Sequence, residues 1–209
     1  MKGSRRLPAA TRRTDGRRGE AGTSLAEVLV VAATAVIVAA VSVPALTSQR
    51  GTLHAAGAAR HVAALVRTTR AEALKRGVHV ALVFQSSSGG FRLALFADGN
   101  YDGVRSADIA AGSDRQVSAW VRIDDQFSGA SFGIVPGVTD PDSGALLSGS
   151  PLKLGGSSML SFGPDGGATS GTVYVRGPAI QQYAVRTLGA TGRSRLLRFE
   201  FGARRWVAG

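Results

Sequence analysis

Hydrophobic and polar positions divide the chain into regimes. Residues 1–22 carry no hydrophobic period and are rich in Arg and Gly. From Val28 to Leu46 the chain then runs for 19 residues without a charge, VLVVAATAVIVAAVSVPAL. At 1.5 Å per residue this is roughly 28 Å of helix, about the thickness of a bilayer core. Beyond Pro44 the pattern turns amphipathic. Leu53, Ala56, Ala59, Ala63, Val66 and Leu74 fall near helical spacing, with Arg60, Arg67, Arg70, Glu72 and Lys75 elsewhere. Gly77, after Lys75 and Arg76, is a C-cap signal with cations in the last turn. The spacing predicts helix over about 24–76, either continuous or as two segments softened at Gly51 and Gly57.

After Gly77 the period shortens. Alternating or apolar runs at Val78–Phe84, Phe91–Phe96, Val117–Ile123, Met159–Phe162, Thr172–Arg176, Tyr183–Leu188 and Leu196–Phe201 are separated by connectors rich in Gly, Ser, Asp and Pro. This predicts antiparallel strands. A long helix followed by strands predicts an α+β domain with the helix across one face of the sheet. The Gly/Ser-rich stretch 128–158 reads as a long loop or insertion.

Composition narrows the field. With 44% hydrophobic and 19% charged residues the chain has material for a core, which excludes wholesale disorder. There is no cysteine, so disulfide scaffolds, thiolate metal sites and cysteine nucleophiles are excluded. The net charge of +11 belongs to the two ends. Residues 1–22 hold seven basic against two acidic side chains, residues 171–209 seven against one, and the rest is balanced at eleven of each.

Three readings compete for Val28–Leu46: a buried helix of a soluble domain, a secretory signal peptide cut near Val43–Ala45, and a membrane span. The basic leader is too long and the apolar run too extended for a signal peptide. A span with the leader held in the cytoplasm fits best and places the body outside it. Glu27 stands almost at the mouth of this run. A carboxylate there either snorkels to the interface or has a cationic partner.

The stretch Gly22-Thr23-Ser24-Leu25-Ala26-Glu27-Val28-Leu29-Val30-Val31 resembles the leader junction of type IV pilins and type II secretion pseudopilins. Its Glu is fifth after Gly22, and Pro44 stands where pilin helices commonly carry a kinking proline. Thr23 departs from the usual large apolar residue. The resemblance implies cleavage between Gly22 and Thr23 by a prepilin peptidase, N-methylation of Thr23, and a filament in which Glu27 pairs with the Thr23 amine of a neighbouring subunit. The chain then divides into a cleaved leader (1–22), a transmembrane and filament-core helix (23–50) and a periplasmic globular domain (51–209). A second set of blocks carries a further likeness. Ala71-Glu72-Ala73-Leu74-Lys75-Arg76-Gly77, Asp98-Gly99-Asn100-Tyr101-Asp102-Gly103, Leu160-Ser161-Phe162-Gly163-Pro164-Asp165-Gly166 and Gly192-Arg193-Ser194-Arg195 are similar in content and order to the GspH/FimT group of minor pseudopilins. That resemblance implies a pilin-like fold, an inner-membrane location and other pilin or pseudopilin subunits as partners.

Catalytic and metal motifs are thin. Asp98, Asn100 and Asp102 match the first half of a calcium loop, but the twelfth position is Ile109 rather than Glu and the context is a hairpin. A plain Asp/Asn/Gly turn is the preferred reading. Gly129-Ala130-Ser131-Phe132-Gly133 matches G-x-S-x-G, yet the last histidine is His79, so the hydrolase order of Ser before His is absent. His54 and His61, seven apart, lack a third ligand and read as solvated helix positions. No phosphate-binding glycine loop occurs. The expectation is a structural protein without a cofactor, not an enzyme.

The basic tail leaves two functions open. Primary is a minor pilin or pseudopilin that helps initiate or cap a short filament. The alternative is a pilus-tip DNA-binding subunit acting in DNA uptake. In it Arg193 and Arg195, presented by a turn, reach phosphates, and Tyr174, Tyr183 and Trp206 offer stacking surfaces. The same arginines would also suit solvated edge strands or contact with an acidic neighbour.

Overall fold

The structure is a computed structural model that describes residues 24–178 and 180–209, residues 41–49 by their backbone only. Two compact units divide the chain, 1–43 and 44–209. Helix α1 runs from Leu25 to Arg76. Its start is a capping box. Ser24 Oγ accepts the Ala26 amide at 3.3 Å, and Glu27 Oε2 accepts the Ser24 amide at 3.0 Å. Each side chain thus satisfies a donor that the first turn leaves free. The described apolar residues from Val28 to Ala40 are exposed. Among the described residues no helix is long and apolar enough to cross a membrane. The expected span to Leu46, and the expected kink at Pro44, run into residues 41–49, outside the described side chains.

In the second unit the buried stripe of α1 is Ala55, Ala58, Ala59, Val62, Ala63, Val66, Thr69 and Ala73. The period is helical, but its phase differs at both ends from the sequence expectation. Leu53 and Leu74 are exposed, at 69% and 49%. Alanine dominates this stripe, and at Ala55 the small side chain admits the close approach of Gly177. Fully burying Val62 or Val66 contributes on the order of 1.5–3 kcal/mol each. Gly51 and Gly57 do not divide the helix; they admit neighbours. A Cβ at Gly51 would lie 2.8 Å from Pro178 Cγ, and one at Gly57 2.7 Å from the Phe127 ring. Gly77 ends the helix as expected, at φ 67° with its amide on Ala73 O at 3.0 Å.

The strands are β1 (Val80–Ser87), β2 (Gly90–Ala97), β3 (Arg115–Gln116), β4 (Val121–Arg122), β5 (Ser131–Phe132), β6 (Leu152–Lys153), β7 (Met159–Phe162), β8 (Gly171–Arg176), β9 (Gln182–Leu188), β10 (Arg193–Glu200) and β11 (Arg205–Ala208). Short helices α2 (Ser106–Ala111) and α3 (Ile123–Gln126) interrupt them. All pairings are antiparallel. The first sheet has the order β3-β2-β1-β7 with β4 also on β2; the second has β11-β10-β9-β8-β5 with β6 also on β8.

The expected strand Val117–Ile123 is mostly absent. Ser118 Oγ accepts the Leu95 amide at 2.9 Å, a side chain in place of a ladder carbonyl, and Ile123 opens α3 instead. Strand β11 was not foreseen.

One apolar cluster joins the α1 stripe to the inner faces of both sheets. It includes Val80, Leu82, Phe84, Leu93, Leu95, Leu160 and Phe162 from the first and Val173, Val175, Tyr183 and Val185 from the second. Register explains the first set: Val80 faces Ala97, Leu82 faces both Leu95 and Leu160, and Phe84 faces Leu93. Phe132 meets Phe84 and Phe91 edge-on at 5.7 and 6.0 Å and ties the sheets together.

The insertion 128–158 is not a free loop. Besides β5 and β6 it forms a strap over the outer face of the second sheet. Gln182 Oε1 accepts the Val135 amide at 2.7 Å, Tyr174 Oη donates to Asp140 Oδ2 at 3.3 Å, and Trp206 Nε1 donates to Thr139 O at 2.7 Å. Asp142 pairs with Arg186. Burial and the Asp140 carboxylate both push the Tyr174 phenol far above its ordinary range.

Candidate functional site

The second unit carries a basic groove of about 480 Å³. Arg67, Arg70, Ala71 and Leu74 form one wall, with helical spacing on one face of α1. Gly192, Arg193, Ser194 and Arg195 form the other. Leu74, assigned to the core by its spacing, belongs to this wall. Alternation along β10 sends Arg193 and Arg195 to the same face, both exposed. The turn expected over 192–195 is confined to Gly192, at φ 60°, which closes the single 3₁₀ turn Gly189–Thr191.

The groove's shape depends on a third segment, the loop 163–167 after β7. Gly192 packs so tightly on it that a Cβ would lie 2.0 Å from Gly166 O. Arg70 Nε donates to the same carbonyl at 3.2 Å. One bond thus holds the Arg70 guanidinium in the groove, with its Nη2 also close to Gly166. Three of the four blocks singled out in the sequence (71–77, 160–166 and 192–195) therefore meet here. The contributions of Arg67 and Arg70 were missed. Their signal was the i, i+3 spacing of two arginines on the helix face next to the alanine stripe.

No acidic residue lines the groove, and none of its four arginines makes an ion pair among the described residues. Some arginines elsewhere are matched, Arg76 with Glu72, Arg105 with Asp102, Arg122 with Asp124, Arg186 with Asp142, and Arg198 and Arg205 with Glu200, whereas Arg50, Arg60, Arg92, Arg115, Arg176 and Arg204 make no ion pair among the described residues; what sets the groove apart is four such arginines around one cavity. A cluster of unmatched guanidinium groups repels itself and attracts anions, and its planar forks suit carboxylate and phosphate oxygens. Of the foreseen stacking residues, Tyr174 and Tyr183 are buried and Trp206 is half-buried with its indole N–H engaged. Trp206 nevertheless lines a second cavity, of about 260 Å³, together with Arg195 and its cross-strand neighbour Arg186.

The other foreseen residues lie apart. Gly22 and Thr23 are outside the described residues, and Glu27 caps α1. The Asp98 carboxylate is buried, accepting the amides of Asn100 (3.0 Å), Tyr101 (2.7 Å) and Gly103 (2.8 Å). Burial alone would raise its pKa. The three amides outweigh that and hold it below the ordinary carboxylate range, with His79 acting in the same direction. Asp114 accepts from Gly99 and Arg105, and Asp102 is paired with Arg105. These contacts are those of a turn, with both Asp98 oxygens already occupied. Among the described residues no group of three His, Asp or Glu is placed to hold a metal. Ser131 Oγ accepts from Arg176 Nε at 3.2 Å and has no base beside it among the described residues. His61 is not solvated as expected. Its ring packs on Phe127 with centroids 5.8 Å apart, and its Nε2 is buried.

The model of one protein family, type II transport protein GspH, matches residues 58–192. That is more than half of the chain, from Ala58 in α1 through the first sheet and strands β5, β6, β8 and β9 of the second to Gly192, and it stops before β10 with Arg193 and Arg195. No curated protein and no solved structure matches it. On the extent of the family match, the chain belongs to the type II transport protein GspH family, the pseudopilins of type II secretion.

Proposed function

We propose that the chain is made as a precursor, cut between Gly22 and Thr23 by a prepilin peptidase, N-methylated at Thr23, and held in the inner membrane by residues 23–50 with the body in the periplasm. It then joins a short filament, a type II pseudopilus or a type IV pilus, as a minor subunit that initiates or caps it. The observation that carries this reading is the conjunction of the GspH match over 58–192 with Gly22 and Glu27 at pilin spacing before an uncharged run. Glu27 gains a charge partner only when an amine appears at Thr23. Inside an apolar bundle an unpaired carboxylate is penalised, so the pair favours one axial register between subunits. Mass spectrometry of the mature chain tests the reading. A first residue of N-methylated Thr23 is expected, and any other amino terminus overturns the junction.

The basic groove favours a second role in the same filament, capture of DNA. Four unmatched arginines on two walls suit a phosphodiester backbone better than the two of the tail alone. Binding of this kind is indifferent to sequence and falls steeply with salt.

A further inference from the structure

We infer that the body has a built membrane-contact surface, a collar of two loops around the first helical turns after the apolar run. The inference rests on the anchoring proposed above and adds the part of the body that meets the lipid.

Two segments distant in sequence, residues 126–129 and residues 177, 178 and 181, grip α1 between Gly51 and Gly57. Pro178 fills the notch at Gly51, and Gly177 lies where a Cβ would be 2.7 Å from that of Ala55. Gln181 Nε2 donates to Thr52 Oγ1 at 2.9 Å. Phe127 fills the notch at Gly57, and Gly129 abuts Pro178. The apolar run ends at Leu46, five residues before Gly51. Along a helix that distance is about 7.5 Å. The headgroup layer on each side of a bilayer is of similar depth, roughly 5–7 Å. Chain connectivity alone therefore holds the collar at the headgroups.

Its chemistry suits that depth. Leu53 and Ile180 are each 69% exposed, although they come from segments 127 positions apart. Arg50 is exposed beside Leu53, at the rim of a cavity of about 270 Å³ shared with His54, Gln126 and Phe127. Residues 50–57, 126–129 and 177–181 contain no acidic side chain. An apolar tip with a guanidinium beside it, as at Leu53 and Arg50, and a second exposed apolar tip at Ile180 fit an interface in which acyl chains begin below phosphates. The partner is thus a lipid surface, with preference for anionic headgroups.

The chain has no cysteine, so single labels are clean. Full-length protein carrying Leu53→Cys, Ile180→Cys, Tyr101→Cys, Leu146→Cys or Val36→Cys with an environment-sensitive dye is reconstituted in phosphatidylethanolamine/phosphatidylglycerol vesicles. These contain a lipid quencher at headgroup depth. Labels at 53 and 180 are expected to lose most of their emission, and those at 101 and 146 to keep theirs. Replacing phosphatidylglycerol by phosphatidylcholine is expected to weaken quenching at 180, and Arg50→Gln to remove that lipid dependence. Position 180 is decisive, because tethering alone accounts for 53. If 36 is shielded from an aqueous quencher while 180 behaves like 101, the collar inference is overturned and anchoring stands. If 36 is open to the aqueous quencher, anchoring falls and the collar with it.

Discussion

Gly192 and Gly166 touch backbone to backbone, with no room between them for a single methyl group. This contact sets the width of the basic groove, because Gly192 precedes Arg193 and Gly166 O holds Arg70. Gly192→Ala adds a left-handed backbone cost of about 1 kcal/mol to a steric clash. We expect a loss of roughly 2 kcal/mol or more, read by denaturant unfolding. Unchanged stability would show that the two segments separate freely.

The two walls of the groove make separable predictions. Arg67→Ala/Arg70→Ala is expected to weaken DNA binding as much as Arg193→Ala/Arg195→Ala. Each pair should lower the slope of log affinity against log salt by about 2, near 0.9 per lost phosphate contact. A fluorescence-anisotropy titration over salt measures this. If only the β10 pair matters, the groove is not the binding unit. If neither pair does, the DNA reading is lost.

Glu27 has two roles that substitution can split. Glutamine also serves at the third position of a capping box, so Glu27→Gln keeps the Ser24 contact and removes the charge. Helix content by circular dichroism should then match the parent while incorporation into filaments falls sharply. Glu27→Leu should lose both. Normal incorporation of Glu27→Gln would mean that charge pairing with the Thr23 amine is not used.

Asp98 predicts a pH response. Its folded carboxyl lies below the ordinary range, so the unfolded chain binds more protons as pH drops past its own value of about 3.9. Its contribution is complete above that pH and is lost as pH falls toward the depressed folded value. Asp98→Asn replaces one acceptor with a donor facing the Gly103 amide and should cost about 1–3 kcal/mol at neutral pH. It should also flatten the acid side of the stability profile, where Asp124 and Asp140 still titrate. Parallel acid limbs for the two proteins would remove Asp98 from that role.

Gly57 gives a prediction of sign. On helix propensity alone, Gly57→Ala should stabilise by about 1 kcal/mol. The Phe127 ring occupies the space instead, so we expect destabilisation. In a Phe127→Ala background the same change should become stabilising. Additive effects in this double-mutant cycle would show that the notch does not matter.

Much of the architecture was legible from periodicity. Met159–Phe162 was placed to the residue, the helix limits and Gly77 were close, and five of the other strands were found with shifted ends. The failures have physical causes. Leu53 and Leu74 were drawn into the stripe because hydrophobicity was weighted over size, whereas the close-packed face belongs to alanine. The strand at 117–123 shrank to Val121–Arg122, with a serine hydroxyl at 118 bonding like a backbone group ahead of it. Gly51 and Gly57 carry no local sign that another segment fills them. The groove was half legible: Arg193 and Arg195 stood out as a cluster, but their helical partners lie more than a hundred residues earlier and meet them around Gly166 and Gly192.

The strap over the second sheet alters how its Gly/Ser-rich stretch should be regarded. Beneath it the Trp206 ring meets Tyr174 at a tilt and Phe199 edge-on, with centroids 6.0 and 5.1 Å apart. Trimming residues 134–147 as dispensable filler would wet these rings and free Arg186 of its counter-ion. A shortened version made for crystallography would therefore acquire a sticky, more cationic flank, and any clumping or nucleic-acid retention it displayed would be an artefact of the excision.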